Sequence, residues 1–474
     1  MVALTARHSL RHRSVAILVA MLAIAGVSQL LVALRPVPTS PAGTETDSHG
    51  PSLADVDQGP STGDGASDIR TAAEADLDVD RIRANVAFWS ERVAKQPDDF
   101  ISSNRWGIAE IELGRATGDV TAYLRAEAAF DVTLKRDPAN AAALGYKGSV
   151  LVSLHRFVEA ADLARTVRER RPNDPVALAT LGDASLELGN VDDARRAYEH
   201  ADAVAPGSAT LTRRARLAFV AGDSAAAVRL ARQAVEAGVA EGVEGERAAF
   251  LQYQLGEVLI TSGDIISAGS AYRLAVDVDD GSFLAHSGLA RVAAARGNLD
   301  EAIRQLSVAI SIVPQPEFLA RRGDLYTLRG RSGDDRLAAD DYATVEAIAK
   351  LAGEAASVYD RTLVYYLANH GLDAERAVRM AAGELEVRKD VYGYDAYAWA
   401  LLAAGRSDEA QTAMATALAF GTRDAKLLYH AGMIAAARGD RARARSELQG
   451  ALHLDPSFDP LQVERARMIL AQLP

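Results

Sequence analysis

Cysteine is absent from this chain of 474 residues, which excludes disulfide staples, thiolate nucleophiles and every zinc site built on sulfur ligands. Aromatic residues are scarce, at 6% against a hydrophobic fraction of 49%. The apolar surface therefore comes mostly from Ala, Leu and Val, whose modest side chains suit closely packed helices. The chain also lacks the concentrated basic surface that phosphate contacts require: its formal net charge is -12, which argues against a nucleic-acid binder. Part of that charge is local, with ten acidic residues between Glu45 and Asp80 against the single Arg70. Lysine is rare too, six among 52 basic residues, a bias that fits a GC-rich bacterial genome. Missing as well are a phosphate-cradling GxxxxGKS/T loop, an HExxH pair and a GxSxG elbow after a strand, so no sequence motif announces catalysis.

The first long uncharged run is Val15 to Leu34, twenty residues. As a helix it is about 30 Å long, the thickness of a hydrocarbon core. Arg7, Arg11 and Arg13 precede it and only Arg35 follows closely, so the positive-inside bias puts residues 1-14 in the cytoplasm and everything after Leu34 outside. The alternative is a cleaved signal peptide and a secreted chain; the end of the run, LLVALRP, offers no good small-x-small cleavage site. Residues 35-75 are rich in Pro, Ser, Thr, Gly and Asp and cannot bury enough surface to fold, so they read as a disordered linker.

The remainder repeats. Pro138, Pro172 and Pro206 are spaced by 34, and the period returns at Asp280 and Pro314 and at Thr422 and Pro456. Small residues keep step with it: Gly148 with Ala160, Gly182 with Ala194, Gly256 with Ala268, and Gly432 with Ala444. Antiparallel helices joined by a short turn approach closely only where side chains are this small. Gly-Asn, Gly-Asp or Gly-Arg pairs at 189, 222, 263, 297, 405 and 439 mark the turns, with glycine supplying the left-handed conformation and the following Asp or Asn capping the next helix.

This pattern resembles the tetratricopeptide repeat. The resemblance implies an all-α, right-handed superhelical solenoid of helix hairpins over residues 99-456. It would be preceded by a leading helix at 76-98 and followed by a closing helix at 457-474. Ten hairpins are expected, centred on Gly107, Gly148, Gly182, Arg216, Gly256, Ala290, Gly323, Tyr365, Ala398 and Gly432. Arg216 and Tyr365 are not small, so register is least secure there. Extra residues around 115-121, 237-246 and 331-355 imply longer helices or loops.

The histidines of the repeats (His155, His200, His286, His370, His430 and His453) are scattered rather than paired for metal ligation. The acidic pairs Asp192-Asp193, Asp279-Asp280, Asp334-Asp335 and Asp340-Asp341 fit turns and helix starts, where negative charge stabilises the first turn. Neither an enzyme nor a cofactor is expected, and no small-molecule substrate. The resemblance implies a concave groove that binds a partner protein. Projected onto this chain, the groove collects Tyr359, Thr362, Tyr366, Asn369 and His370, then Tyr392, Asp395 and Trp399, then Lys426, Tyr429 and Met433. Aromatic side chains with polar tips are the usual anchors of interfaces. The competing role for these rings is packing between repeats. A weaker patch is Phe250, Tyr253 and Glu257. The expected function is a membrane-tethered scaffold gripping a peptide or helix. The alternative is an accessory subunit of an envelope polymer-synthesis or secretion complex whose catalytic part lies on another chain.

Overall fold

The computed structural model describes residues 72–357 and 361–473, and among them there are 22 helices and no strand. Helix α1 (Ala72–Lys95) leads; it starts four residues before the expected 76. Ten hairpins follow. The first five are α2 (Phe100–Thr117) with α3 (Val120–Arg136), α4 (Ala141–Ser153) with α5 (Phe157–Arg170), α6 (Pro175–Glu187) with α7 (Val191–Val204), α8 (Ser208–Val220) with α9 (Ser224–Ala240), and α10 (Gly245–Thr261) with α11 (Ile265–Val278). The second five are α12 (Phe283–Ala295) with α13 (Leu299–Ile312), α14 (Pro316–Arg329) with α15 (Asp334–Ser357), α16 (Arg361–His370) with α17 (Ala374–Val387), α18 (Val391–Ala403) with α19 (Ser407–Leu418), and α20 (Ala425–Ala437) with α21 (Arg441–Leu454). Helix α22 (Gln462–Gln472) closes the array. No helix among the described residues is long and apolar enough to cross a membrane. The expected span at 15-34 lies outside the described residues, as does nearly all of the linker at 35-75.

The turns marked by glycine dipeptides take the left-handed conformation expected of them. Gly189, Gly222, Gly263, Gly297, Gly405 and Gly439 all have φ between 73° and 85°, a region that costs other residues steric strain. Asp223, Asp264, Asn298 and Asp440 then accept hydrogen bonds from the first turn of the next helix, satisfying donors a helix start leaves free. Asn190 makes no such side-chain bond. Inside the third hairpin a Cβ on Gly182 would lie 2.3 Å from the Tyr198 ring, and in the fifth a Cβ on Gly256 would lie 2.4 Å from Tyr272. The glycines exist to admit those rings. Each phenol then donates to a carboxylate one residue beyond its glycine, Tyr198 to Asp183 at 2.8 Å and Tyr272 to Glu257 at 2.6 Å, which removes the penalty of burying the hydroxyl.

Three expectations change in detail. In the fourth hairpin the small residue against α9 is Ala215, 3% exposed, so the register is one residue earlier than a count centred on Arg216. Tyr365 in the eighth hairpin keeps its place through an exchange of sizes, with the small Ala381 fully buried on α17. Asp340 and Asp341 lie within α15 rather than at its start. There Asp341 is gripped by the Arg322 guanidinium, at 2.9 and 2.7 Å. The extra residues at 331-355 are taken up by α15 itself, which runs to 24 residues.

The array winds back on itself. The turns of hairpins three and four rest on the loops that follow hairpins eight and nine, and the turn of hairpin five rests on the last residue of hairpin ten. The Lys389 amide donates to the Glu187 carbonyl at 2.8 Å, and the Thr422 hydroxyl donates to the Val220 carbonyl at 2.6 Å. Cβ atoms on Gly189, Gly222 and Gly263 would meet the carbonyl oxygens of Lys389, Gly421 and Leu454 at 2.5, 2.2 and 2.7 Å. These glycines serve twice, for the turn and for the backbone that presses on it.

Candidate functional site in the inner groove

Charge binds the two turns of the winding. Glu187, 1% exposed, accepts from Arg216 of hairpin four and from Arg388 of the loop two hundred residues on. Arg361 meanwhile holds Glu384 at 2.6 Å and Asp390 at 2.7 Å. Burial by itself would raise the Glu187 carboxyl; the Arg388 and Arg216 guanidiniums outweigh it and hold the group well below the usual carboxylate range. The same seam covers His155, whose ring stacks on Phe157 with centroids 5.5 Å apart, while Arg388 lies 5.7 Å over the Phe157 ring. Burial first, and Arg388 second, push His155 down to about 3, so it is neutral.

Beside this seam a pocket of about 190 Å³ opens between α8, α9 and α10. Its floor is Ala215, Ala231 and Ala234; its walls include Thr212, Arg216, Phe219, Gln254, Glu257, Val258 and Thr261; Tyr392 reaches over it from α18. The origin of the pocket lies in the repeat. Ala231 stands sixteen residues after Ala215, as Tyr198 follows Gly182 and Tyr272 follows Gly256. In hairpin three the ring of Tyr198 packs against Leu217 and Val220 of the next hairpin, and Val258 and Thr261 are the corresponding wall of the pocket. A ring is thus missing from a slot whose neighbours are filled. Ala164 holds the same place in hairpin two, but there α6 moves in, with Thr180 3.1 Å from where a Gly148 Cβ would be.

Segments of this chain match family models described as tetratricopeptide repeat: residues 151–217, residues 111–175 and 253–317, and residues 208–233 and 393–416. These segments carry tetratricopeptide repeats. Among solved structures the chain is similar to human IFIT1, described as a dimer with m7Gppp-AAAA, at 17% identity and a TM-score of 0.45, covering 74% of this chain and 78% of that one. It is similar to the Cut9-Hcn1 hetero-tetramer of the APC/C at 14% identity and a TM-score of 0.31, covering 84% and 94%. A third is YrrB, described as a TPR protein with an unusual peptide-binding site, at 17% identity and a TM-score of 0.28, covering 39% and 92%. No curated protein matches the sequence.

Counted from Ala215, the repeat's groove positions in hairpin four fall on Thr212, Arg216 and Phe219, which the register centred on Arg216 passes over. The signal that finds them is the exchange of tyrosine for Ala231. Of the weaker patch, Phe250 and Tyr253 are each 7% exposed and pack in the hairpin core, while Glu257 lines the pocket, held by Arg291 at 2.8 Å and by the Tyr272 hydroxyl.

The C-terminal groove residues are brought together, but not as an open face. Tyr366, Asp395, Trp399, Tyr429 and Met433 are 5, 1, 4, 0 and 7% exposed. Tyr366 packs on Tyr342 and His370. Trp399 stacks on His430 with centroids 4.1 Å apart and donates to Asn369 at 2.7 Å. Asp395 accepts from the Tyr365 hydroxyl at 2.7 Å and pairs with His430 at 2.8 Å. Tyr429 meets Phe458. The reason is the tight winding: Gln462 of α22 reaches Asn369 of α16, so groove side chains of hairpins eight to ten fill the interior they line. Thr362, Asn369, His370, Tyr392 and Lys426 keep partial exposure. Lys426 sits 3.5 Å over the Tyr365 ring, and His370 lies 3.2 Å from Asp324. Tyr359 lies outside the described residues. Among the described residues no group of three or more His, Asp or Glu is arranged to hold a metal ion.

Proposed function

We propose that this chain is a non-catalytic scaffold that binds a segment of a partner protein in its inner groove. We further propose that residues 15–34 anchor it in a bacterial cell membrane, with the repeats on the outer side and the linker holding them clear of the bilayer. The observation that carries the binding reading is the pocket between α8, α9 and α10: it is lined by buried apolar side chains and half-buried polar and aromatic ones, with Tyr392 of α18 added to the three helices, and it joins apolar surface to a few polar groups, the composition typical of recognition sites. The anchor reading rests on twenty uncharged residues preceded by three arginines.

A photo-crosslinking residue placed at Phe219 inside the pocket, and for comparison at Val239, which is 76% exposed, tests the binding reading in membranes of the native host. The expected result is a crosslink from Phe219 to one protein that then binds the purified chain, and none from Val239. Equal crosslinking from both positions, or from neither, refutes it. Extraction tests the anchor: the chain should leave the membrane fraction only with detergent, and release by salt or alkali would refute the anchor.

A further inference from the structure

We propose that the pocket of hairpin four is a slot for one neutral six-membered aromatic ring, the side chain of a phenylalanine or tyrosine in the partner segment, with an acceptor oxygen of that residue bound by Arg216. The inference rests on the groove-binding reading above and specifies what the groove selects.

The repeat supplies its own template for the ligand. In hairpins three and five the equivalent space holds a tyrosine ring, pressed on the small residue of the first helix and closed by the next hairpin. Hairpin four has the same walls with Ala215 below and Ala231 where the ring would be attached. A ring from outside would therefore meet a cavity shaped for it, and aromatic side chains bring large apolar area at little conformational cost.

Polarity refines the choice. The template rings end on a carboxylate that accepts their phenol proton, Asp183 or Glu257. The corresponding residue in hairpin four is Arg216, a donor. Its Nη2 is engaged by Glu187, while its Nη1 is buried with no acceptor. The Arg216 side chain as a whole is 29% exposed, so a turn of the guanidinium brings Nη1 to an incoming oxygen, and a buried donor left unmatched is costly. An anionic ligand is disfavoured, because Glu187 and Glu257 already stand beside the site and each is matched to its own arginines. A phenol oxygen or the carbonyl of a capped aromatic residue suits the slot; an aryl carboxylate does not.

The test uses the full chain in detergent and three probes: p-cresol, N-acetyl-phenylalanine amide and benzoate. Affinity is read by ligand-observed nuclear magnetic resonance, with Ala231→Tyr as the variant that fills the slot from within. The expected result is saturable binding of p-cresol and the capped amide to the wild type, weaker binding of benzoate, and a loss of roughly ten-fold or more in the variant, the ratio produced by about 1.4 kcal/mol. Equal binding to wild type and variant, no binding to the wild type, or a preference for benzoate each overturns the proposal. Should Ala231→Tyr fail to fold, judged by its helical melting curve, Ala234→Leu narrows the same slot and the same losses are expected. Ring binding with no partner crosslink from Phe219 would refute the scaffold reading and leave the slot standing; a partner crosslink undiminished in Ala231→Tyr would refute the aromatic anchor and leave the scaffold standing.

Discussion

Two glycines with the same local job separate the turn from the tertiary contact it makes. Gly222 and Gly297 both close hairpin turns, at φ of 82° and 73°. A side chain in either turn meets the left-handed penalty, about 1–2 kcal/mol. Around Gly297 nothing lies within 4 Å of an added Cβ, whereas at Gly222 the Gly421 carbonyl oxygen would be 2.2 Å away. That oxygen belongs to backbone, so it yields only if the loop after hairpin nine retreats. The loop carries the hydrogen bond from Thr422 to the Val220 carbonyl, worth about 1 kcal/mol, and Phe420, which packs on the Tyr198 cluster. Gly297→Ala should therefore cost about 1–2 kcal/mol, and Gly222→Ala about 2 kcal/mol more, combining the lost bond with partial exposure of that ring. Solenoids unfold segmentally, so the assay is amide hydrogen exchange resolved by peptide, supported by urea melts. Gly222→Ala should speed exchange in peptides spanning 417-424, two hundred residues away, while Gly297→Ala should act only on its own and adjoining hairpins. Indistinguishable effects of the two substitutions would refute the contact between successive turns of the winding.

Glu187→Ala should cost about 3–5 kcal/mol, because it leaves Arg216 and Arg388 buried without their shared carboxylate; small-angle scattering should show a more extended particle, and an unchanged radius with unchanged urea midpoint would count against the seam. Acidification should loosen the same seam. His155 is held down to about 3 from an ordinary 6.5, so the unfolded chain takes up a proton that the folded chain refuses; the stability is whole above about pH 6.5 and erodes as pH falls toward 3. Glu187, held low by its arginines, acts in the same direction below its ordinary 4.5. His155→Gln should flatten the upper part of that profile, measured as melting temperature against pH, and an unchanged profile would refute the assignment. Trp399→Ala should lower stability by about 3–5 kcal/mol, as removal of a core ring does; a loss under 1 kcal/mol would show that the ring is not the packing element its burial indicates.

Much of this architecture is legible from residue spacing. The period of 34 between Pro138, Pro172 and Pro206, with glycines in step, locates the hairpins because a repeat writes its local packing rule once per unit. The turn glycines and most caps follow in the same way, since both depend on neighbours a few residues apart. Hairpin four is where the reading slips: Arg216 breaks the small-residue rule, and with alanine at 231 in place of the usual tyrosine the shift to Ala215 is easily passed over until α8 is seen against α9. That single step moves Thr212, Arg216 and Phe219 into the groove. The aromatic cluster at Tyr366, Trp399 and Tyr429 tells the converse story. Its members come from consecutive repeats and are buried, because whether a face is open depends on how tightly the array is wound.

The sequence by itself determined the helices, their pairing into hairpins, the glycine turns and the ladder of small residues on which tyrosines rest, because each is a relation among residues within one or two repeats. The tertiary structure alone decided the curvature, the seam from Glu187 to Arg388 and the closure of the C-terminal groove. Those features join residues as far as two hundred positions apart, and they arise from small rotations added over many repeats, a sum that no local pattern records.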